Sequence, residues 1–256
     1  MNPHFLIIGA QKAGTTAAIR NLALHPRVHT FCGATEYGQR EIEFYNQHWD
    51  RGAEWYRGHF PSTDKVVGEK TAELLHRMIC HERMRAVNPD FKLLVLLRSP
   101  VERAYSQWKM ARYIKRDESE QFDDVVAQGV DEASLPDRRQ AFYTCADTGR
   151  SCWREGYVLK GFYAEQLRSL CESFPRNQIH VVISERIRLR PDEHYAQIFR
   201  FLGLDAIPAC FLDHFVTPTA SPMSAAVRHL LHEFYAEPNR QLFQWLGEEI
   251  PEWTAK

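Results

Sequence analysis

The sequence lacks an excess of charge of either sign, a long hydrophobic run and an N-terminal stretch that resembles a signal peptide. Each absence argues against one class of protein. Among 256 residues, 32 Lys and Arg nearly balance 33 Asp and Glu, so no overall attraction toward nucleic acid or a membrane surface is predicted. No stretch approaches the roughly 20 apolar residues that span a bilayer. Residues 1–14 lack the basic region and long apolar run of a signal peptide. We therefore expect a cytoplasmic protein that has no nucleic-acid or membrane partner.

The six cysteines show no C-x-x-C pair and no Cys/His spacing suited to zinc, so no metal site is predicted. A disulfide between Cys145 and Cys152 is one interpretation, but reduced thiols agree better with a cytoplasmic location. The chain also lacks repeats and low-complexity tracts, and its 25% charged and 44% hydrophobic residues are ordinary globular usage. Because no clear linker interrupts the sequence, we expect one domain over residues 1–256.

Short apolar runs alternate with helical patterns along the chain. The runs are too short for helices and are bounded by Gly, Pro or charged residues, which predicts buried strands at 5–8, 66–67, 93–97 and 179–183. The helical patterns cover 15–24, 71–87, 101–114, 157–173, 194–202 and 225–246, the last interrupted by Pro238. This alternation predicts an α/β fold, a central parallel sheet with helices on both faces.

Residues 112–152 differ from the rest of the chain because they are polar and only weakly periodic. One interpretation is a surface excursion with one or two short helices. The other is a cap on the acceptor side, over the open end of the sheet, where α/β proteins bind ligands. The sequence leaves both interpretations open.

A glycine-bracketed loop follows the first predicted strand and precedes the first predicted helix. Residues 9–16, GAQKAGTT, carry the G-x-x-x-x-G spacing of a nucleotide-binding loop. Such a turn directs backbone N–H groups and the helix dipole at an anion, and threonine hydroxyls add donors. The residues that we predict to bind the anion are Gln11, Lys12, Ala13, Gly14, Thr15 and Thr16. The remaining alternative is a strand-to-helix turn that binds no ligand.

Two departures from a kinase loop point away from magnesium-dependent phosphoryl transfer. A Walker A loop has lysine directly after the second glycine, but here that position is Thr15, and Lys12 lies inside the loop. A Walker B strand ends in an aspartate that organises Mg²⁺, whereas the third predicted strand is followed by Arg98. A cation at that position favours a second phosphate on the ligand.

The second predicted anion site begins with Arg98 and continues into a helix. Pro100 suits a first helical turn, and Ser106 lies about two turns after Arg98, where it can share an anion. The plainer interpretation is that Ser106 is a small packing residue and that Arg103 is solvated or salt-bridged. Only the presence of the first loop favours the anion-binding interpretation.

Together, the two elements resemble the sulfotransferases that use 3′-phosphoadenosine 5′-phosphosulfate (PAPS). The first loop is similar to the family's 5′-phosphosulfate loop, and RSPVERAYS at 98–106 is similar to its 3′-phosphate motif, R-x-P-x-x-R-x-x-S. The resemblance is strongest to the branch containing the heparan sulfate N- and 3-O-sulfotransferases and their bacterial relatives. Further motifs of that branch occur in the same order: REIEFY (40–45), WY and FP within 55–61, GEKT (68–71), KGFYAEQL (160–167), SE (184–185) and FLGL (201–204).

The resemblance implies PAPS as cofactor, in-line transfer without a metal, and three catalytic residues. Glu41 matches the family's base, which takes the acceptor's proton, although spacing alone leaves Glu36 and Glu43 as alternatives. Lys12 matches the lysine that stabilises the leaving phosphate oxygen. Lys70 matches a lysine near the acceptor and the sulfuryl group, and its plainer interpretation is a surface lysine at a helix start.

The chain departs from the family pattern at two places. Glu43 replaces the family's histidine on the acceptor side. Residues 215–222 lack the Lys-Gly-Arg nucleotide clamp of the heparan enzymes, for which Arg228 is the substitute we consider. Because the net charge is near zero, a long polyanionic glycan is disfavoured, and we expect a small-molecule or modest glycan acceptor with a hydroxyl or amine.

Two other functions remain open at this stage. A P-loop nucleotide or small-molecule kinase would need Mg²⁺, which the positions of Thr15 and Arg98 disfavour. A non-catalytic protein that binds PAPS or its product PAP would keep Lys12, Arg98 and Ser106 but would not need Glu41. The sequence defines no oligomeric state.

Overall fold

The computed structural model describes residues 1–31, 33–35, 38–116, 118–145, 156–210 and 222–253. The chain divides into two compact units. The first comprises Met1–Leu97 and Ser169–His214, and the second comprises Arg98–Arg168 and Phe215–Lys256. The first unit contains the glycine-bracketed loop, and the second begins at Arg98.

A five-stranded parallel sheet organises the first unit, with the strand order β2-β5-β1-β6-β7. Its strands are β1 (Phe5–Gly9), β2 (Val28–Thr30), β5 (Val66–Lys70), β6 (Lys92–Leu97) and β7 (Ile179–Ile183); β3 (Gly33–Thr35) and β4 (Gly38–Arg40) form a separate antiparallel pair. The predicted parallel sheet is confirmed. The sequence did not predict β2, because its three residues include a histidine and give no apolar run.

Helices flank this sheet, and others build the second unit. In chain order they are α1 (Thr15–Ala23), α2 (Phe44–Gln47), α3 (Gly52–Arg57), α4 (Met78–Val87), α5 (Pro100–Lys109), α6 (Phe122–Ala133), α7 (Pro136–Thr144), α8 (Tyr163–Ser173), α9 (Ser184–Leu189), α10 (Pro191–Leu202) and α11 (Ala225–Leu246). In the first unit, α1 packs against β1, β2 and β5, and α10 packs against β6 and β7. The side chains of β1 are fully buried as a result, as expected for an apolar strand inside a parallel sheet.

The predicted helix 71–87 is wrong in its first half, because α4 begins at Met78. The residues that follow β5 use their N–H groups to bond with the neighbouring strand instead. Leu75 N donates to the carbonyl of Ile8 at 2.8 Å. This bond replaces the bond to residue i−4 that a helix would require. The segment after β5 therefore lies beside the start of the glycine-bracketed loop.

The predicted helix 157–173 is divided near Gly161. Residues 156–159 form one helical turn, and α8 begins at Tyr163. Gly161 lies close against Tyr235, since a Cβ at this glycine would lie 2.7 Å from the tyrosine side chain. The division therefore follows from tertiary packing that a local pattern does not reveal.

Two helices of the second unit differ from prediction in detail. The predicted helix 101–114 begins one residue earlier, at Pro100, and its last part, Met110–Lys115, is π-helical. The last predicted helix has the expected bounds, Ala225–Leu246, but Pro238 does not interrupt it. Buried residues on both sides of this proline hold the helix together across the missing N–H.

The described part of segment 112–152 contains the two predicted short helices, α6 and α7. The segment is more than a surface excursion, because Phe122, Val126 and Tyr143 are almost completely buried within the second unit. Residues 146–152 lie outside the described residues. The role of this segment as an acceptor-side cap stays a prediction.

Cys80, Cys171 and Cys210 are free thiols. Cys152 lies outside the described residues, so the redox state proposed for Cys145 stays a prediction. None of the helices in the described ranges is both long and apolar enough to cross a membrane.

Candidate functional site

The glycine-bracketed loop connects β1 to α1 and contains left-handed backbone conformations. Lys12 has a φ of 71° and Gly14 has a φ of 90°. Glycine adopts this conformation without strain, but a lysine rarely does. A lysine held in this way indicates that the surrounding structure fixes the loop, as often occurs at ligand sites.

The start of α1 suits an anion. The first-turn N–H groups of any helix lack intrahelical partners, and the helix dipole adds positive charge there. Gly14 stands at the N-cap position, where it offers no side-chain cap, and the first turn contains no acidic residue. Thr15 is buried and Thr16 is half-buried. These features fit the phosphate of a nucleotide.

Ser184 anchors this loop from the end of β7. It is the buried first residue of α9, and its Oγ donates a hydrogen bond to the carbonyl of Ala13. The bond fixes the peptide group that joins Ala13 to Gly14, just before the start of α1. Sequence analysis found Ser184 only as part of a family motif, and this contact gives the serine a physical role.

Lys70 brings together three residues that the sequence predicted separately. Its Nζ lies 2.6 Å from Glu41 Oε1 and 3.4 Å from Thr16 Oγ1. The Lys70 side chain is 7% exposed and that of Glu41 is 19% exposed. The interpretation of Lys70 as a surface lysine is therefore wrong, and the predicted base, a lysine and a loop hydroxyl share one site.

Both oxygens of the Glu41 carboxylate are held. Glu41 directly follows β4, and Lys70 is the last residue of β5. While Lys70 contacts one oxygen, the backbone N–H of Ala72 donates to Oε2 at 3.2 Å. Glu43 stands at the N-cap of α2, and Glu36 lies outside the described residues. These contacts place Glu41 beside the loop site, and its choice over Glu36 and Glu43 as the base stays a prediction.

Sequence analysis missed Glu69, a fully buried carboxylate next to Lys70 in β5. Tyr56 Oη donates to its Oε1 and Thr71 Oγ1 donates to its Oε2, both at 3.1 Å. Burial raises the pKa of Glu69 to about 7, although these hydrogen bonds and the nearby Lys70 act in the opposite direction. The available signal was the GEKT motif, in which Glu69 precedes the predicted catalytic lysine.

In the second unit, Glu102 joins two arginines. Arg98 Nη2 lies 3.9 Å from Glu102 Oε2, and Arg228 Nη1 donates a hydrogen bond to Glu102 Oε1. Arg98 directly follows the last residue of β6 in the chain, and Arg228 lies in the first turns of α11. The arginine considered as a substitute for the nucleotide clamp thus shares a carboxylate with the arginine predicted to bind phosphate. Residues 215–221 of the clamp region lie outside the described residues.

Helix α5 carries two further polar residues, Ser106 and Lys109, on the side that bears Glu102. Glu102 and Ser106 are four residues apart and so lie on the same helix face, and Lys109 follows three residues later. Burial lowers the pKa of Lys109 and the Arg98 cation lowers it further, while Glu102 raises it. We call Arg98, Ser106, Lys109 and Arg228 the Arg98 patch. The patch brings three cations close to the carboxylate of Glu102, and positive groups gathered in this way favour an anion.

Arg103, within the same motif, has a structural role. The interpretation of Arg103 as solvated or salt-bridged is wrong, because its side chain is fully buried. Its Nη1 donates to Gln107 Oε1 at 2.7 Å, and its Nη2 donates to the carbonyl of Tyr157. The bond to Gln107 lies within α5, and the bond to Tyr157 connects α5 to the helical turn at 156–159.

No three His, Cys, Asp or Glu side chains come together as a metal site in the part of the chain that the structure describes. The predicted independence of metal stays a prediction, because it concerns the reaction.

The family model and the relatives that match this chain all belong to one protein family. Residues 2–229 of this chain match the family model described as sulfotransferase domain. Mouse (Mus musculus) heparan sulfate glucosamine 3-O-sulfotransferase 6 is 30% identical over 277 residues, which cover 97% of this chain and 73% of the relative. The bifunctional heparan sulfate N-deacetylase/N-sulfotransferase 1 of Caenorhabditis briggsae is 27% identical over 281 residues, which cover 98% of this chain. This chain spans only 31% of that relative's length.

A solved structure has a similar fold over the whole chain. The crystal structure of a sulfotransferase from Alicyclobacillus acidocaldarius superposes with a TM-score of 0.76, is 24% identical and covers 100% of both chains. At this identity the likeness concerns the fold. It confirms the P-loop-like α/β architecture predicted from the sequence.

Proposed function

Because this chain belongs to the sulfotransferase domain family, we propose that it moves a sulfuryl group from PAPS to a hydroxyl or an amine of an acceptor. The family match confirms the resemblance predicted from the motifs. PAPS as donor, the roles of the site residues and the class of acceptor are the proposed parts.

The observation that carries the proposal is the double contact of Lys70 with Glu41 and Thr16. Sulfuryl transfer needs a base for the acceptor's proton and positive charge where negative charge develops. A carboxylate, an ammonium and the start of a phosphate-binding helix supply these groups within the first unit. The sequence predicts each of them from a different stretch.

The loop before α1 would hold the 5′ end of PAPS. When bound, PAPS supplies a sulfuryl group that is activated by its bond to a phosphate oxygen. Lys12 would neutralise the negative charge left on that oxygen. The other loop residues would bind the phosphate through backbone N–H groups and hydroxyls: Gln11, Ala13, Gly14, Thr15 and Thr16.

Glu41 would act as the base. One of its carboxylate oxygens would accept the proton of the acceptor hydroxyl or amine, which frees the lone pair that bonds to sulfur. Lys70 and the N–H of Ala72 would orient the carboxylate through the contacts described above. Lys70 would also add positive charge beside the transferred group.

In the second unit, the Arg98 patch would bind the 3′-phosphate. Arg98 and Ser106 match the family motif, and Arg228 and Lys109 add cations to the same patch. A phosphate monoester carries up to two negative charges and would compete with Glu102 for the arginines. We therefore include Arg228 among the residues that recognise the nucleotide.

For the acceptor, we propose a small molecule or a modest glycan. The two relatives are named for heparan sulfate, which makes a sugar hydroxyl or amine the first group to test. The near-zero net charge of this chain disfavours a long polyanion. We also propose the cytoplasmic location that the sequence predicts, which cell fractionation can test.

The test is release of PAP from PAPS by the purified protein, with and without acceptors. The panel would contain glucosamine oligosaccharides with free amines, uncharged sugars and small alcohols. We expect PAP release that depends on an acceptor and a mass increase of the acceptor by one sulfuryl group. PAP binding without turnover over the whole panel would favour the non-catalytic binding protein. Turnover of ATP that requires Mg²⁺, without turnover of PAPS, would favour the kinase.

A further inference from the structure

Glu69 is a buried ionisable group to which the proposed mechanism gives no role. Its side chain is fully buried in β5, a strand with a neighbour on either side. A buried carboxylate is costly unless hydrogen bonds satisfy it. Tyr56 and Thr71 each donate one such bond, to different oxygens of Glu69.

Thr71 is held at both its side chain and its backbone. Its hydroxyl binds Glu69, and its N–H donates to the carbonyl of Ile7 in β1 at 3.0 Å. The peptide group of Thr71 is fixed by the second bond, and its Cα–Cβ direction by the first. Thr71 is 1% exposed, so solvent does not compete for these bonds.

The residues on either side of Thr71 are the two that hold Glu41. Lys70 contacts Oε1 of Glu41 at 2.6 Å, and the N–H of Ala72 donates to Oε2 at 3.2 Å. A rotation of the backbone at Thr71 would move the Ala72 N–H relative to the Lys70 side chain, so that the two would no longer fit the same carboxylate. The Glu69–Thr71 hydrogen bond therefore adds a side-chain restraint to the backbone bond with Ile7, and the two bonds together fix the residue that lies between both partners of the Glu41 carboxylate.

We propose that Glu69 is a positioning residue for Glu41, and that it acts through the hydroxyl of Thr71. The positioning role of Glu69 does not itself depend on the proposed sulfotransferase activity. Only its expected effect on turnover rests on that proposed function. Tyr56 binds the opposite oxygen of Glu69 from α3, so its hydroxyl serves the stability of this region and not the orientation of Glu41.

The experiment compares Thr71→Val, which keeps the shape but lacks the hydroxyl, with Thr71→Ser, which keeps the hydroxyl. The first readout is amide hydrogen exchange of the protein without ligand. In Thr71→Val we expect the Ala72 amide to exchange about tenfold faster, the equivalent of one lost hydrogen bond. The Leu75 amide, which donates to Ile8, is the internal reference and should not change. Thr71→Ser should keep both rates near those of the wild type.

The second readout is turnover. We expect Thr71→Val to lower kcat about 10- to 100-fold through misplacement of the base, with the Kd for PAP within about twofold of the wild type. Thr71→Ser should restore most of the loss. Tyr56→Phe should lower Tm while keeping kcat and the exchange rate of the Ala72 amide. Thr71→Ala repeats the comparison if the valine disturbs folding.

The outcomes distinguish a failure of the proposed sulfotransferase function from a failure of the positioning role of Glu69. A wild-type protein that does not turn over PAPS would overturn the proposed function, while faster Ala72 exchange in Thr71→Val would still support the positioning role. Unchanged Ala72 exchange and unchanged kcat in both Thr71→Val and Thr71→Ala would overturn the positioning role. Equal losses of kcat in Thr71→Val and Tyr56→Phe would also overturn it, because a general loss of stability would then explain both.

Discussion

Lys70 and Glu41 form an ion pair of 2.6 Å in which both side chains are largely shielded from solvent. Removing one partner of such a pair leaves the other charge buried, and the cost then reflects that stranded charge as well as any lost chemistry. Truncating Lys70 would therefore confuse folding with catalysis. Glu41→Gln also leaves Lys70 without an ionic partner, but its amide oxygen can still accept a hydrogen bond, so it disturbs the pair less than truncation and is the better test of the base when Tm is measured beside turnover.

Glu41→Gln should abolish most turnover while leaving nucleotide binding intact. The amide keeps the size of the carboxylate, and its one oxygen accepts a hydrogen bond from either Lys70 or the Ala72 N–H, but it does not accept a proton at neutral pH. Loss of a general base costs about 10²- to 10⁴-fold in rate. Steady-state PAP release should fall by that factor, and calorimetric titration should give nearly the wild-type Kd for PAP.

The neighbouring Glu43 supplies the control for this substitution. Glu43→Gln makes the same chemical change two residues away, and we expect turnover to stay within about threefold of the wild type, well short of a general-base loss. Near-normal turnover in Glu41→Gln together with a collapse in Glu43→Gln would reverse the assignment of the base.

The Arg98 patch predicts how the protein distinguishes nucleotides. PAP, with its 3′-phosphate, should stabilise the wild type against heat more than AMP does. Arg98→Gln should weaken PAP binding about 10- to 100-fold, the usual range for a lost hydrogen bond to a charged group, and should leave AMP binding nearly unchanged. Arg228→Gln should show the same selectivity with a smaller loss, because its bond to Glu102 competes with the ligand.

Arg240 is the matched control on the same helix, since it is exposed and pairs with Glu237. Arg240→Gln should leave both Kd values unchanged. Equal stabilisation of the wild type by PAP and AMP would contradict the assignment of a 3′-phosphate site to the Arg98 patch.

Turnover should persist in the presence of EDTA. Lys12 and Lys70 are proposed to provide the positive charge that Mg²⁺ provides in kinases. Initial rates of PAP release should be equal, within about twofold, in buffer with chelator and in buffer with added Mg²⁺. Complete loss in chelator that Mg²⁺ restores would contradict the role given to Lys12.

The parts of the fold that the sequence predicted are those with strong local signals. Continuous apolar runs marked β1, β6 and β7, and the glycine spacing marked the loop before α1. The family motifs then selected Glu41 and Lys70, which the structure brings into contact. Spacing alone did not select Glu41, because neither β3 nor β4 carries a local signal and the contact that distinguishes this glutamate is tertiary.

The missed features depend on contacts between distant residues. The segment after β5 looks helical by periodicity, yet the N–H groups of Thr71 and Leu75 bond to β1. Apart from its place in the GEKT motif, Glu69 gives no signal, because an isolated glutamate in a strand normally faces solvent, and the burial of β5 is what makes it unusual. Arg103 resembles a surface arginine until its carbonyl partner at Tyr157 is known.

A buried histidine predicts how stability depends on pH. His81 in α4 is 1% exposed, its Nε2 bonds to the carbonyl of Leu75 at 3.1 Å, and burial lowers its pKa to about 4. The unfolded chain binds a proton at this residue below about pH 6.5, whereas the folded chain does so only near pH 4. Stability therefore falls as pH falls through this window. Glu69 acts with the opposite sign, because its raised pKa favours the folded state as pH falls from about 7.

His81→Gln should remove the histidine component of this pH dependence. The shift of the His81 pKa corresponds to about 3 kcal/mol of unfolding free energy lost between pH 6.5 and pH 4. Urea unfolding at pH 6.8 and at pH 4.5 should show the wild type losing more stability than His81→Gln, since glutamine has no proton to gain. His229→Gln, at an exposed position in α11, should follow the wild type. Equal losses in the wild type and His81→Gln would contradict the lowered pKa that burial gives His81 in the folded chain.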